Sequence, residues 1–289
     1  MLKSRLCVRG NSLLYEFCRQ RNVVHFRRGK ILVAVDQAEE EQLDALYNNA
    51  LANTVKVRRL TARQVLEMEP EVSARSGLHF PSSGTIDVHE LMQALFFEGW
   101  QACVICHFNS TVKEAVYTGT NYKIETQRET ICTLNVINCA GLGAEGTAQL
   151  MGINTIKSGY HLYPCKGEYF RIKRKLKIQS LVSMDREGYL RLGPNAYYIN
   201  ELDYIVDDDH GNEFFQAASQ YVPSLKRGDL MPDFGGIRPK LQDHGEEMKD
   251  FVIKEESELG YPGWINLIGI EFPRLTACLA IGDYVKGLI

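Results

Sequence analysis

The sequence predicts a mixed α/β (α+β) fold in which two units exchange chain segments. Helix-like and strand-like runs are mixed along the chain, neither alternating cleanly nor segregated. A β-rich stretch from about residue 103 to 140 interrupts the helical pattern, and an apolar strand, a glycine turn and a helix close the chain. The 289 residues suit one large domain or two interleaved ones.

Each element follows from local pattern. Residues 11–20 read as a helix with Leu13, Leu14, Phe17 and Cys18 on one face, and "GKILVAVD" reads as a strand. Asp36 caps a helix carrying Leu43, Leu46, Tyr47 and Ala50. Thr61 with Gln64 forms a capping box, and Pro70 stops the helix it opens. Asp87 with Glu90 resembles a second one. The helix behind it sets Val88, Leu91, Met92, Leu95 and Phe96 at the spacing of a core-facing stripe. Strands follow in "VKEAVYT", "YKIETQ" and "TLNVINCA", the first pair turning at Gly119 to Asn121. "YHLYPCKGEYFRI", "YLRLGPNA" and "DYIVD" continue the β pattern, and residues 213–222 form a helix. A strand pair around "DFVIKEES" and "WINLIGIE" precedes a closing helix over about 275–288.

Composition excludes several classes. A net charge of −3 predicts no nucleic-acid partner. No apolar run approaches the ~18–20 residues that cross a bilayer. The N-terminus has no continuous apolar segment of the secretory kind. Eight cysteines in a chain this long predict mostly buried, reduced thiols in a cytoplasmic setting, with peripheral membrane attachment left open.

Four motifs carry chemistry. "GLGAEG" contains G-x-G-x-x-G at Gly141, Gly143 and Gly146. A dinucleotide-binding turn needs a long crossover helix behind it and a second parallel strand ending in an acid. Here only about two helical turns precede Gly152 by the ~3.6-residue repeat, so the triplet is an incomplete fingerprint. "CVICH" (Cys103, Cys106, His107) matches a haem-attachment pattern. It sits at a helix–strand junction where alternate residues should be buried, and no second Cys/His pair follows for zinc. In "GGIRPKL" two glycines allow close backbone approach, and Pro239 fixes the backbone after Arg238. That arginine suits a bidentate carboxylate clamp or is a loop arginine facing solvent. "NLIGIEFPRLTA" joins a strand through Gly269 to a helix N-terminus, whose free N–H groups suit an anion or a polarised carbonyl.

Taken in order, "LKSRLCVRGNSLLYEFC", "SSGTIDVHELMQAL", "VINCAGLGAE", "YPCKGEYFRI", "LRLGPNA", "GIRPKL" and "NLIGIE-P-LTACLAI" resemble the FAD-dependent oxidoreductases of the D-amino-acid oxidase superfamily, in the branch of the L-2-hydroxyglutarate oxidases and dehydrogenases. The resemblance runs from Met1 to Ile289. It implies a partial FAD-binding domain (residues 1–20, 84–152 and 234–289) interleaved with a β-rich substrate domain (21–83 and 153–233). It also implies that the family's phosphate-binding βαβ unit would lie upstream of Met1, leaving an apolar sheet edge unpaired, and that Gly143 completes the glycine triplet by chance.

By the same resemblance, Val112 meets the adenine, and Ala140, Gly141 and Leu142 lie beside the cofactor. Gly236 and Ile237 lie under the flavin ring, and Arg238 clamps the substrate carboxylate. Gly269, Ile270, Glu271, Leu275 and Thr276 surround its pyrimidine end. Phe272 and Arg274 replace the family's serine and glycine, and a family hairpin is missing where Val182 meets Ser183. The implied function is oxidation of an L-2-hydroxy acid, similar to 2-hydroxyglutarate, to the 2-oxo acid by hydride transfer to FAD. The alternatives are a truncated, inactive homologue, completed or not by a second chain carrying the βαβ unit, and a c-type haem carrier built on Cys103, Cys106 and His107. No resident metal is expected.

Overall fold

A computed structural model describes residues 1–181, 183–184 and 187–289. In chain order the elements are α1 (Leu2–Arg21), β1 (His25–Phe26), β2 (Lys30–Ala34), α2 (Gln37–Ala52), β3 (Arg58–Thr61), α3 (Ala62–Met68), β4 (Ser76–Phe80), β5 (Thr85–Ile86) and α4 (Val88–Gln101). Then come β6 (Val112–Tyr117), β7 (Tyr122–Thr126), β8 (Thr130–Thr133), β9 (Val136–Asn138), α5 (Ala144–Leu150), β10 (Tyr163–Ile172), β11 (Ser183–Met184), β12 (Leu190–Leu192) and β13 (Tyr197–Tyr198). The chain ends with α6 (Gly211–Ser219), β14 (Leu230–Lys240), β15 (Val252–Glu256), β16 (Tyr261–Ile268) and α7 (Arg274–Lys286).

Two sheets matter for function. The larger runs β11-β12-β10-β13, with β14 also paired to β10. Strands β10 and β14 are antiparallel from Tyr163↔Lys240 to Ile172↔Leu230, with a bulge between Glu168 and Phe170. The smaller is β15-β16-β9, in which β9 lies parallel to β16 and Asn138 sits opposite Asn266. The largest apolar cluster joins the first sheet to α6 and to Ile31, Leu60 and Val65. A second core buries Leu6 of α1 with Ile265, Leu267, Ala277 and Ile281. There α1 crosses α7 at Gly10, where a Cβ would come within 2.2 Å of the Thr276 carbonyl oxygen. Asp250 accepts from the Leu2 amide and from the Lys3 amide (2.7 Å), so α1 is anchored at its start.

The capping residues act as expected at α2 and α3. Asp36 accepts from the Glu39 amide, and Thr61 and Gln64 form a reciprocal box. At Asp87 only half the box forms: Asp87 accepts from the Glu90 amide, while the Glu90 carboxylate takes the Val24 amide instead. The first helix begins at Leu2 rather than residue 11. The expected strand "TLNVINCA" is two, β8 and β9, broken at Leu134 and Asn135. The junction expected at Val182 lies in part outside the described residues.

Three burial expectations are corrected. The α4 stripe does not face a core: Leu91 is buried against Cys18 and Val23, but Val88, Met92, Leu95 and Phe96 are exposed. The described elements pack on α4 along the side of Glu90, Leu91, Ala94 and Glu98 and leave its other apolar side exposed. Cys103 and Cys106 lie exposed in a loop, not on a strand, because Cys103 adopts a left-handed φ of 62° just after α4. Of the eight free cysteines only Cys18 and Cys165 are buried, while Cys103, Cys106, Cys132 and Cys139 are exposed. Among the described strands β9 pairs with β16 alone, and Ile137 is exposed.

The two tryptophans report on these surfaces. Trp100 on α4 is 66% exposed and Trp264 on β16 is 1% exposed. Iodide should quench the Trp100 share of the emission and spare the rest, and Trp100→Phe should abolish the quenchable share. Emission that resists iodide throughout would mean that the α4 face is covered.

Candidate functional site

Two cavities, each ≈ 530 Å³, adjoin along β14. The strand's two-residue alternation aims successive side chains at opposite faces. Ile237 and Pro239 therefore line the first cavity, and Arg238 and Lys240 line the second. The turn after β16 serves both, through Ile270 and Arg274 on one side and Glu271 and Phe272 on the other. A hollow of ≈ 550 Å³ beside Pro70 and Pro223 holds none of the expected site residues.

The first cavity is floored by Cys139, Ala140, Gly141 and Leu142, the segment leaving β9. Asn138 pins that segment. Its side-chain amide donates to the Ala144 carbonyl (2.8 Å) and to Asn266 Oδ1 (2.9 Å), and its own Oδ1 accepts from the Ala140 amide (3.3 Å). Asn266 is held in turn: its Nδ2 donates to Glu256 Oε1 (2.8 Å), and its Oδ1 accepts from the Trp264 indole (3.0 Å). Gly236, which has no side chain, contributes backbone to this wall. The glycine triplet is confined to a 3₁₀ turn and the seven-residue α5, too short to cross a sheet.

Helix α7 points its N-terminus at this cavity. Gly269 makes the turn possible, with φ +67° and Leu241 Cδ1 2.4 Å from where a Cβ would stand. No side chain caps α7. The first-turn amides of Leu275 and Thr276 have no helical acceptor and remain available to an electron-rich group. Glu271 is buried and takes Lys3 Nζ at 2.5 Å, which ties the turn to α1. Arg274 lines this cavity.

In the second cavity Arg238 is half-buried. Its Nη2 donates to the Asn195 carbonyl at 3.2 Å, and it lies across Gly167, where a Cβ would sit 2.5 Å from that nitrogen. Among the described residues no carboxylate comes within ion-pair range of it. A guanidinium has five N–H donors in a fixed fork, so most remain free. Tyr169, stacked on Phe234 at 4.5 Å, and Tyr198, whose hydroxyl donates to the Gln242 carbonyl at 3.0 Å, form the apolar sides.

Of the residues the resemblance implies, Ala140, Gly141, Leu142, Gly236, Ile237 and Ile270 line one cavity, and Arg238 lines the one beside it. Gly269, Leu275 and Thr276 neighbour the lining residues Ile270 and Arg274 in sequence but line neither cavity themselves, and neither does Val112, which opens β6. Sequence reasoning missed Lys240, Tyr198, and the Asn138–Asn266 lock. The signal for the lock was present, since both apolar strands break with asparagine, in "VIN" and "WIN". His107 pairs with Glu129 at 2.6 Å, and no metal-binding cluster occurs among the described residues.

On the reverse face of β10 lies a buried ionic network. Glu168 is fully buried and accepts from His210 Nδ1 (2.5 Å), the Tyr197 hydroxyl (2.7 Å) and the Asp207 amide (3.2 Å), with Lys166 Nζ at 3.1 Å. Burial pushes this carboxyl up, but the hydrogen bonds from His210, Tyr197, Lys166 and Asp207 outweigh it and bring it to about 2. The Glu168 amide donates to Asn195 Oδ1 at 2.7 Å, and the Asn195 carbonyl holds Arg238. The network thus buttresses the loop that aims the arginine.

The chain belongs to the FAD dependent oxidoreductase family, whose profile matches residues 1–288. Similar proteins include the mitochondrial L-2-hydroxyglutarate dehydrogenase of Arabidopsis thaliana, 29% identical over 98% of this chain and 71% of its own length. The human mitochondrial L-2-hydroxyglutarate dehydrogenase is 31% identical over 98% of this chain and 75% of its own length. A glycerol 3-phosphate dehydrogenase of Caloramator mitchellensis is 28% identical over the whole of this chain and 62% of its own length. The fold matches the FAD-bound L-alpha-glycerophosphate oxidase of Mycoplasma pneumoniae with a TM-score of 0.84 at 22% identity, covering 99% of this chain and 79% of that one. The family's cofactor is FAD, and the first cavity's lining of Ala140, Gly141, Leu142, Ile237 and Ile270, beside the uncapped start of α7 at Arg274, is compatible with its ring. No helix of the described residues is long and apolar enough to cross a membrane.

Glu168 yields a pH prediction. Its folded value of about 2 lies below the ordinary 4.5, so its contribution is full above 4.5 and is lost as pH falls from about 4.5 to 2. His210 is raised above 6.5, mainly by its bond to Glu168, so its contribution is full below 6.5 and fades as pH rises through the raised value. Removing one partner of a buried pair costs about 3–5 kcal/mol. Glu168→Gln should lose that much in urea unfolding at neutral pH and flatten the acid limb. Wild-type stability at neutral pH in the variant would contradict the network's role.

Proposed function

We propose that the chain oxidises a 2-hydroxy acid to the 2-oxo acid, with Arg238 holding the substrate carboxylate. The observation carrying this is a half-buried arginine with no carboxylate partner among the described residues, lining a cavity that adjoins the one lined by Ala140 to Leu142, Gly236 and Ile237. Its fork matches a carboxylate bidentately. Bound FAD would supply the acceptor for the hydride from the hydroxyl-bearing carbon. The hydroxyl proton leaves to solvent as the hydride leaves the carbon, and no residue is assigned as its base; the chain's residues shape the site. Ala140 to Leu142, Gly236, Ile237 and Ile270 wall a flat ring and exclude water. The Leu275 and Thr276 amides, at the positive end of α7, stabilise negative charge at the ring's pyrimidine edge.

The division into a flavin unit (1–20, 84–152 and 234–289) and a substrate unit (21–83 and 153–233) is part of this reading, as is action away from a bilayer interior. The reading needs no complementing chain. The named relatives that act on L-2-hydroxyglutarate support the acid class. A second reading, an inactive homologue, is favoured by Arg274, which lines the cavity that the ring would fill.

The test is Arg238→Met. A charge-assisted bidentate contact is worth about 1.5–3 kcal/mol, and 1.4 kcal/mol is tenfold. The KM for the 2-hydroxy acid should therefore rise about 10- to 100-fold with a smaller change in kcat. An unchanged KM would remove Arg238 from the site. Absence of turnover in the FAD-loaded wild type with every 2-hydroxy acid would favour the inactive reading.

A further inference from the structure

We propose that Tyr204 is a cofactor-positioning residue: a strap of the chain, residues 203–207, lays it beside the first cavity, and Lys166 is the clasp that holds the strap there. The proposal rests on the first cavity as the place of the flavin ring and is independent of which acid the site oxidises.

The strap lies between β13 and α6 and has no regular secondary structure. Its anchors are polar. Lys166 is 3% exposed and stands opposite Ile237 in the ladder, so it shares the face of the sheet that borders the first cavity. Its ammonium donates to Asp203 Oδ2 at 3.1 Å and to the Ile205 carbonyl, both in the strap, and pairs with Glu168 at 3.1 Å. The Asp207 amide donates to the same buried Glu168 at 3.2 Å. A buried ammonium is tolerated only when its charge is paired and its hydrogens are bonded. Lys166 and the strap therefore hold each other in place. Gly235 lets the strap cross β14 closely, because a Cβ there would stand 2.9 Å from the Tyr204 carbonyl oxygen.

The side chains of the strap are divided. Val206 packs on the largest core, whereas Tyr204 and Ile205 are more than half exposed. Tyr204 lines the first cavity, on the side of Gly236 and Ile237. Its hydroxyl has no hydrogen-bond partner among the described residues, so the strap alone sets its position. An exposed aromatic side chain, fixed by a buried clasp at the border of a cavity, lacks its packing partner. A flat ring bound in that cavity supplies one, since aromatic rings gain from offset or edge-on contact.

Titration of the purified chain with FAD, read by flavin fluorescence, tests this without turnover. Tyr204→Ala should weaken FAD about 3- to 10-fold, and Tyr204→Phe should stay within about twofold of wild type. Asp203→Ala loosens the clasp at its exposed end and leaves Glu168 paired with Lys166; it should weaken FAD in the same range as Tyr204→Ala. Chymotrypsin cleavage after Tyr204 gives a second readout: FAD should slow it in the wild type, and Asp203→Ala should speed it without FAD. Unchanged FAD affinity in Tyr204→Ala or in Asp203→Ala, an equal loss in Tyr204→Phe, or cleavage that FAD does not slow would overturn the inference and leave the cofactor reading standing. A wild-type chain that takes up no FAD would overturn both.

Discussion

The antiparallel pairing of β10 with β14 is the constraint on which the rest of the structure depends. One end of this ladder, from Phe170 to Ile172 against Leu230 to Pro232, is anchored in the largest core. The other end, from Tyr163 to Glu168 against Gly235 to Lys240, separates two cavities. The bulge between Glu168 and Phe170 marks the change, as bulges do where a strand must re-aim its side chains. Because side chains alternate, the ladder's register decides that Ile237 and Pro239 line one cavity while Arg238 and Lys240 line the other. A one-residue slip would exchange them.

Polar networks hold this geometry because apolar packing is not directional. Asn138, at the end of β9, and Asn266, inside the parallel β16, tie the two strands together and hold the Ala140 turn. Glu256, fully buried, accepts from the Tyr160 hydroxyl at 2.7 Å and from Asn266. Burial and the adjacent Glu256 charge raise the Tyr160 phenol, which keeps it a donor. On the other side, Glu168 fixes Asn195, and Asn195 fixes Arg238. Partly satisfied networks of this kind are expensive in a low-dielectric interior. Their presence behind the cavity walls argues that they are retained for positioning.

Much of the site was legible because it rests on backbone constraints that leave a mark in sequence. Gly269 before a helix, "NCAGL" after an apolar strand, and "GIRPKL" each encode a turn or close approach. What was illegible depends on contacts between distant segments. Lys240 gains meaning only once "RPK" is known to be a strand rather than a loop, which Pro239 and the two glycines obscured. Tyr198 enters only through the pairing of β13 with β10. The α4 stripe shows the converse: Val88, Met92, Leu95 and Phe96 have core spacing, but periodicity cannot say whether a neighbour covers the face. Cys103 and Cys106 were misjudged because a left-handed residue ended the helix where a strand was expected.

The central claim is that this scaffold brings a 2-hydroxy acid and a flavin together across β14. The most direct measurement is an anaerobic titration of the FAD-supplied chain with L-2-hydroxyglutarate, followed in the visible spectrum. The account predicts a bound-flavin spectrum whose oxidised band bleaches on addition of the acid. A spectrum of free FAD throughout, or a bound flavin that no 2-hydroxy acid bleaches, would contradict it.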